Sequence, residues 1–320
     1  MKLIIQIPCY NEEQTLAATV ADLPRQIEGI DQVELLVIDD GSDDRTVEVA
    51  REAGVDHIIQ NKRNLGLARA FQTGLDACLR LGADIIVNTD GDNQYRGQDI
   101  PRLIAPILRG EADMVIGDRQ TETIPHFSPL KKRLQKLGSW VVRRLSEIDV
   151  PDAVSGFRAF SREAALRTNI LSSFSYTIES LIQAGKKKLT VVSVPVGSNA
   201  KTRDSRLFKS VPHFLERSVT TMVRIYSMYQ PLRFFFYLGA LSILLGMIPS
   251  VRFLIAYFAG DGGGHIQSLI LAAILFVVGF QFLLMGLVAD LISFNRRLSE
   301  DILLRLRKLE LERKDDSGRE

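Results

Sequence analysis

ADIIVNTDGDNQY, residues 83–95, is an apolar run that ends in three oxygen-bearing side chains at alternate positions, Asp90, Asp92 and Gln94. Side chains two apart in an extended chain point the same way. The three are therefore expected to converge just past the end of a strand. Oxygen donors alone suit Mg2+ or Mn2+. Similar units recur on both sides. LIIQIP (3–8), VELLVID (33–39), HIIQ (57–60), DMVIG (113–117) and LTVVSVPV (189–196) are short apolar runs. Helix-like stretches at 11–23, 43–53, 66–81 and 98–109 lie between the earlier ones. This alternation predicts an α/β fold, Rossmann-like, with a mostly parallel sheet covered on both faces. Ligands of such sheets bind outside the carboxyl ends of the strands. The polar clusters PCYNEE (8–13), DDGSDD (39–44) and TDGDNQ (89–94) fall there, with Ser42 and Asp43 also candidate helix caps.

The bulk numbers narrow the class. The 320 residues carry 40 Lys and Arg against 38 Asp and Glu. Cys9 and Cys78 sit far apart in apolar surroundings, which predicts free thiols rather than a disulfide framework. The four histidines show no zinc-ligand spacing. No signal peptide is expected, because the apolar start is short and runs into Pro8. No nucleic-acid partner is expected either.

Composition changes at residue 232. Residues 232–251 contain no acid, and 266–289 are 24 residues without a formal charge. At about 1.5 Å per residue each matches a bilayer core of roughly 30 Å. Transmembrane helices are therefore predicted over 232–258 and 266–290. The link 259–265 has no Lys or Arg, whereas Arg217, Arg224 and Arg233 precede the pair and Arg296 and Arg297 follow it. The positive-inside rule then places both termini in the cytoplasm, at a cell (inner) membrane. This divides the chain into a cytoplasmic domain over 1–211, a juxtamembrane interfacial helix over 212–231, the two spans, and a charged tail over 291–320. Within the domain, 128–148 has an apolar stripe (Leu130, Leu134, Leu137, Val141, Leu145, Ile148) beside Lys131, Lys132, Arg133, Lys136, Arg143 and Arg144. That pattern fits a helix lying in the bilayer surface or one packed on the core. The tail stretch SEDILLRLRKLELERK (299–314) is amphipathic and able to support a homo-oligomer.

PCYNEE, VIDDGSDD, NKRNLGLARA, NTDGDNQ, VIGDR and SGFRAF occur in an order and spacing that resembles the family 2 glycosyltransferases, which have the GT-A fold. Two spans after a domain of roughly 230 residues resemble, more narrowly, the polyprenyl-phosphate glycosyltransferases. Dolichyl-phosphate mannose synthases and GtrB-like bacterial enzymes are among them. The resemblance covers about residues 1–295. One departure is DGDNQY (90–95), where many members of that family have an apolar residue in place of Asn93 and prolines after the motif.

The resemblance implies roles. Asp90, Asp92 and Gln94 would hold the metal against the diphosphate of a UDP- or GDP-hexose. Pro8, Tyr10, Asn11 and Glu12 would line the nucleotide pocket, Asp39 would read the base, and Asp40 and Asp90 would serve the same pocket. Arg119 would stand near the phosphates, a surface ion pair being the alternative. A lipid phosphate has a second pKa of about 6 and is mostly a dianion at neutral pH, already nucleophilic. It needs cations, and Arg203 and Arg206 match the family's basic loop before the membrane. Asp152 resembles an aspartate that acts as base or orienting group, though an aspartate after Pro151 is also an ordinary turn residue. The implied reaction is inverting transfer of one hexose, UDP-glucose by default, to undecaprenyl or dolichyl phosphate for cell-envelope glycan synthesis. A GDP-mannose-dependent dolichyl-phosphate mannose synthase and a diacylglycerol glycosyltransferase are the alternatives. A processive synthase would carry Q-x-x-R-W, yet Trp140 follows LGS. A non-catalytic scaffold would have lost its metal ligands.

Overall fold

In a computed structural model of the protein, residues 1–119, 142–143, 146–170, 176–199, 220, 223–224, 226–260 and 263–317 are described. Arg203 and Arg206, most of 128–148 and most of 212–231 lie outside these residues. The chain divides into two compact units, Met1–Leu207 with Arg307–Glu320, and Phe208–Leu306.

The first unit is built on a sheet of order β3-β2-β1-β4-β6-β5-β7. Its strands are β1 (Lys2–Cys9), β2 (Gln32–Asp39), β3 (His57–Gln60), β4 (Ile85–Asn88), β5 (Met114–Asp118), β6 (Arg158–Ser161) and β7 (Val191–Pro195). The helices around it are α1 (Leu16–Asp22), α2 (Thr46–Glu52), α3 (Leu67–Arg80), α4 (Ile100–Leu108), α5 (Arg162–Arg167) and α6 (Tyr176–Lys186). Pairing is parallel throughout except at β6, which runs antiparallel to both β4 and β5. β1 reads as a continuous apolar run because it is covered on both faces: Leu3 to Cys9 are all buried. Each such aliphatic side chain contributes about 1.5–3 kcal/mol. Gln6 breaks the run, and its amide donates to Asn88 Oδ1 across the β1–β4 pair at 2.9 Å.

The parallel register puts the ends of β1, β2, β4, β5 and β7 along one edge. Antiparallel β6 starts at that edge, with Arg158 opposite Asn88, so the 152–157 segment enters there too. The first two helices start later than the sequence pattern placed them. Residues before α1 form a turn in which Leu16 N donates to Glu12 O at 2.9 Å. Neither Ser42 nor Asp43 caps α2; its first N–H, Thr46 N, donates to Asp44 Oδ1 at 3.0 Å. The Ser42 hydroxyl instead accepts from Asn11 N at 2.8 Å. Cys9 and Cys78 are buried free thiols, as expected.

The second unit contains α7 (Pro231–Phe258) and most of α8 (Ile266–Ser317). Both helices are long and apolar enough to cross a membrane. Their outer faces are bare: Ile248 is 66% and Phe258 83% exposed. Core helices of a water-soluble domain would bury such side chains, so these surfaces match lipid. Small residues let the two backbones approach. A Cβ at Gly239 would lie 2.8 Å from Gly279 O, and the Ser242 hydroxyl donates to Leu275 O at 2.8 Å. The predicted tail is not a separate element, because α8 runs unbroken from the span through Ser317. Arg307, counted with the first unit, pairs with Asp76 at 3.1 Å and donates to the carbonyls of Leu166 and Thr168.

Candidate active site

The loops after β1 and β2 brace each other. Asn11 takes a left-handed backbone (φ 55), which asparagine tolerates better than most residues. Its side-chain oxygen accepts from Asp43 N at 2.9 Å, and Glu12 N donates to Thr46 Oγ1 at 2.8 Å. The Glu12 carboxylate is buried and accepts from Thr15 Oγ1 at 2.8 Å. Pro8 is buried within β1, whereas Tyr10 is exposed at the loop's surface. Asp39 is fully buried. Its Oδ1 accepts from Ser42 N at 3.1 Å, while Oδ2 has no hydrogen-bond partner among the described residues. A buried carboxylate oxygen left without a donor is unfavourable by about 1–3 kcal/mol or more, and so marks a place where a ligand donor fits.

Asp40 is engaged differently. It accepts from Asn61 Nδ2 (2.9 Å), Leu65 N (3.0 Å) and Gly66 N (2.8 Å), and so holds the 61–66 loop against the sheet edge. Gly41 makes that approach feasible: it sits at φ +73, and a Cβ there would lie 2.6 Å from the Arg63 carbonyl carbon.

Beyond β4, Asp92 and Gln94 meet through a turn centred on Asn93 rather than through the extended chain that their alternate spacing implies. Asp92 Oδ2 accepts from Gln94 Nε2 at 2.8 Å and Oδ1 from Gln94 N at 3.2 Å, with Asn93 between them at φ 56. Asp90 lies against Gly156, where a Cβ would stand 3.0 and 3.1 Å from its two carboxylate oxygens and 2.7 Å from the Tyr176 hydroxyl. Among the described residues no three His, Cys, Asp or Glu side chains gather to hold a metal. Asp90, Asp92 and Gln94 nevertheless carry oxygen donors, the type that a hard divalent cation takes.

A buried polar network fixes this floor. Asn88 Nδ2 donates to Gly156 O at 2.9 Å and to the Tyr176 hydroxyl at 3.0 Å. Gly156 N donates to the Tyr95 hydroxyl at 3.0 Å, and the Tyr95 ring stacks on Phe157 with centroids 5.0 Å apart. The Tyr95 phenol is pushed up to about 12, first by burial and then by Asp90 against the opposing pull of Arg119. Tyr95 therefore stays protonated and neutral.

Arg119, directly after β5, grips Asp152 with its fork: Nε to Oδ2 at 2.7 Å and Nη2 to Oδ1 at 3.0 Å. The Asp152 side chain is 1% exposed and that of Arg119 21%. The ion pair foreseen as the alternative for Arg119 is thus real but buried, and its carboxylate is committed at both oxygens. Arg158 was legible only as part of SGFRAF. Fully buried, it donates to the carbonyls of Ala153, Ser155 and Thr177 and to Ser180 Oγ at 2.7–2.8 Å. None of these partners is charged, and burial lowers its pKa to about 10. It anchors the segment that carries Asp152.

Residues 4–167 match the family described as glycosyl transferase family 2, and residues 230–294 match the GtrB C-terminal hairpin. Over 215 residues the chain is 32% identical to a UDP-N-acetylglucosamine–dolichyl-phosphate N-acetylglucosaminyltransferase of Methanococcus voltae, covering 59% of this chain and 82% of that one. It is 24% identical over 319 residues to a dodecaprenyl-phosphate galacturonate synthase of Rhizobium johnstonii, covering 92% and 88%. Among solved structures, a glucosyl-3-phosphoglycerate synthase of Mycobacterium tuberculosis with Mn2+, UDP and its product superposes with a TM-score of 0.55 at 22% identity, covering 71% of this chain and 79% of that one. That likeness is one of fold and agrees with the expected GT-A architecture. The chain belongs to glycosyl transferase family 2, and it is a glycosyltransferase.

Proposed function

We propose that the protein transfers one hexose, with inversion, from a nucleotide sugar to a polyprenyl phosphate at the cytoplasmic face of a membrane. The observation that carries this reading is that one chain joins a family 2 domain to a GtrB-type hairpin whose outer faces are bare apolar surface. The named relatives act on dolichyl and dodecaprenyl phosphates with different sugars. UDP-glucose is the first donor to test and GDP-mannose the second.

Asp90, Asp92 and Gln94 would hold Mg2+ or Mn2+. When bound, the ion neutralises charge growing on the departing nucleoside diphosphate. In this reading the open Asp39 Oδ2 accepts from the nucleobase, and Pro8, Tyr10, Asn11 and Glu12 line the pocket. Asp40 contributes by fixing the 61–66 loop. A guanidinium has five N–H donors, so Arg119 keeps three for phosphate oxygens after gripping Asp152. Asp152 orients that arginine. A phosphate dianion needs no base, and its direct attack inverts the anomeric carbon. Arg203 and Arg206 hold the acceptor phosphate.

A panel of sugar nucleotides assayed with undecaprenyl phosphate in detergent tests the proposal. Replacing Arg203 or Arg206 by Ala should reduce acceptor use roughly 10- to 150-fold, the worth of one charged hydrogen bond, and leave hydrolysis of the sugar nucleotide much less affected. A retained anomeric configuration, or efficient glycosylation of diacylglycerol in place of polyprenyl phosphate, would refute the reading. Orientation has its own check. A cysteine introduced at Gly263 should react with an impermeant maleimide outside intact cells, whereas probes at either terminus should not. Labelling of the N-terminal domain from outside would reverse the topology.

A further inference from the structure

We infer that Asn199 is a positioning residue: it fixes the turn that carries Asp92 and Gln94 and so sets that turn's affinity for a divalent cation. The inference rests on the reading of Asp92 and Gln94 as cation ligands.

Asn199 arrives from the other side of the sheet edge, 106 residues further along the chain than Asn93. Its Nδ2 donates to Asn93 O at 3.1 Å, with further contacts at 3.4 Å to Asn93 Oδ1 and Tyr95 O. Its main-chain N donates to Gln94 O at 2.9 Å. Residues just before it set its register. Ser198 forms an antiparallel bridge with Tyr95, and Gly197 N donates to Asp99 Oδ2 at 2.6 Å. The carbonyls of Asn93, Gln94 and Tyr95 thus all receive a hydrogen from one residue.

The reason this matters lies in which atoms the turn uses on its own behalf. The bonds from Gln94 N and Nε2 to the Asp92 carboxylate occupy the side chains that a cation would take over. A cation that takes the Asp92 oxygens competes with those bonds for the carboxylate lone pairs, so they hold the turn less firmly. Asn93, between them, sits at φ 56, a left-handed conformation that asparagine tolerates better than most residues but that leaves the turn without a regular ladder. The Asn199 bonds go to main-chain carbonyls and survive ligation. They keep the two ligands at a fixed separation whether or not the cation is present, so less order is lost when it binds.

The test uses the full-length protein in detergent. Free Mn2+ is followed by its electron paramagnetic resonance signal during titration, alone and with UDP or GDP present. Asn199→Ala should weaken Mn2+ binding roughly 10-fold, in line with the loss of neutral hydrogen bonds. Asn199→Leu keeps the approximate size and the main-chain bond but removes the same amide donor without adding charge, and should weaken binding about as much. Asn93→Gly takes the left-handed backbone freely and keeps the carbonyl that Asn199 holds, so its affinity should stay within about twofold of wild type. In turnover assays the Mn2+ concentration for half-activation should rise while kcat at saturating Mn2+ recovers; a general folding defect would lower kcat at every Mn2+ concentration. Wild-type Mn2+ affinity in both Asn199 variants, with affinity lost in Asp92→Asn, would overturn the positioning role and leave the ligands in place. A wild-type protein that takes up no Mn2+ beyond what the nucleotide binds would overturn both.

Discussion

Asp92→Asn is expected to abolish sugar transfer in a protein that still folds. The substitution keeps the shape of the side chain and one acceptor oxygen for Gln94, whose bonds to Asp92 lie at 2.8 and 3.2 Å, so stability should change by less than about 1 kcal/mol. What it removes is a negative charge at the proposed cation site. A single well-placed electrostatic group that acts in the transition state accounts for about 100- to 1000-fold in kcat, and a comparable loss is expected here. EDTA should silence the wild-type enzyme, and added Mn2+ or Mg2+ should restore it. Transfer that continues in EDTA, or an Asp92→Asn enzyme at the wild-type rate, would remove the metal from the mechanism.

Much of this site was legible because local rules and global fold agree along the first 95 residues. Strands β1, β2 and β4 are apolar runs of ordinary length, each ending in polar residues, and parallel pairing brings those ends to one edge. Asp92 and Gln94 do meet, but through a turn with Asn93 at φ 56 rather than along an extended chain. Where the reading stopped, the cause is a tertiary contact with no local signature. β6 is only Arg158–Ser161, begins with a charged residue, and runs against its neighbours. Nothing in four residues announces that Arg158 is buried with carbonyls for partners. The bonds that Asp40 and Ser42 make were not legible for a related reason. A polar side chain beside a turn can cap a helix, meet a ligand or brace another loop, and only the position of the 61–66 and 10–13 loops decides between these. Asn199 left no trace either, because its partners lie about a hundred residues away. The two long apolar helices were the easiest part, since length and apolarity alone mark them. The continuity of α8 into the charged tail was missed because a change of composition was taken for a change of element, although no proline interrupts residues 266–317.

Asp152→Asn should lower both stability and transfer, through Arg119. The pair is buried and bidentate, at 2.7 and 3.0 Å, with the carboxylate almost sealed from solvent. Breaking such a pair from one side leaves an uncompensated charge and costs about 3–5 kcal/mol, which for a domain of this size lowers Tm by roughly 10 °C. The guanidinium, released from its fork, would no longer hold its remaining donors toward the phosphates, and kcat should fall about 10- to 100-fold, the worth of one or two charged hydrogen bonds. A base and an orienting group then make different predictions. If Asp152 orients Arg119, the two residues act as one unit. Asp152→Asn combined with Arg119→Gln should then be little worse than the worse single variant, a strongly non-additive cycle. The pH dependence of transfer should keep the limb set by ionisation of the acceptor phosphate. If Asp152 were a base, Asp152→Asn would erase a limb of the pH profile and Arg119→Lys would leave it intact. Additive losses together with a vanished acid limb would assign proton transfer to Asp152, and with it a hydroxyl acceptor in place of a phosphate.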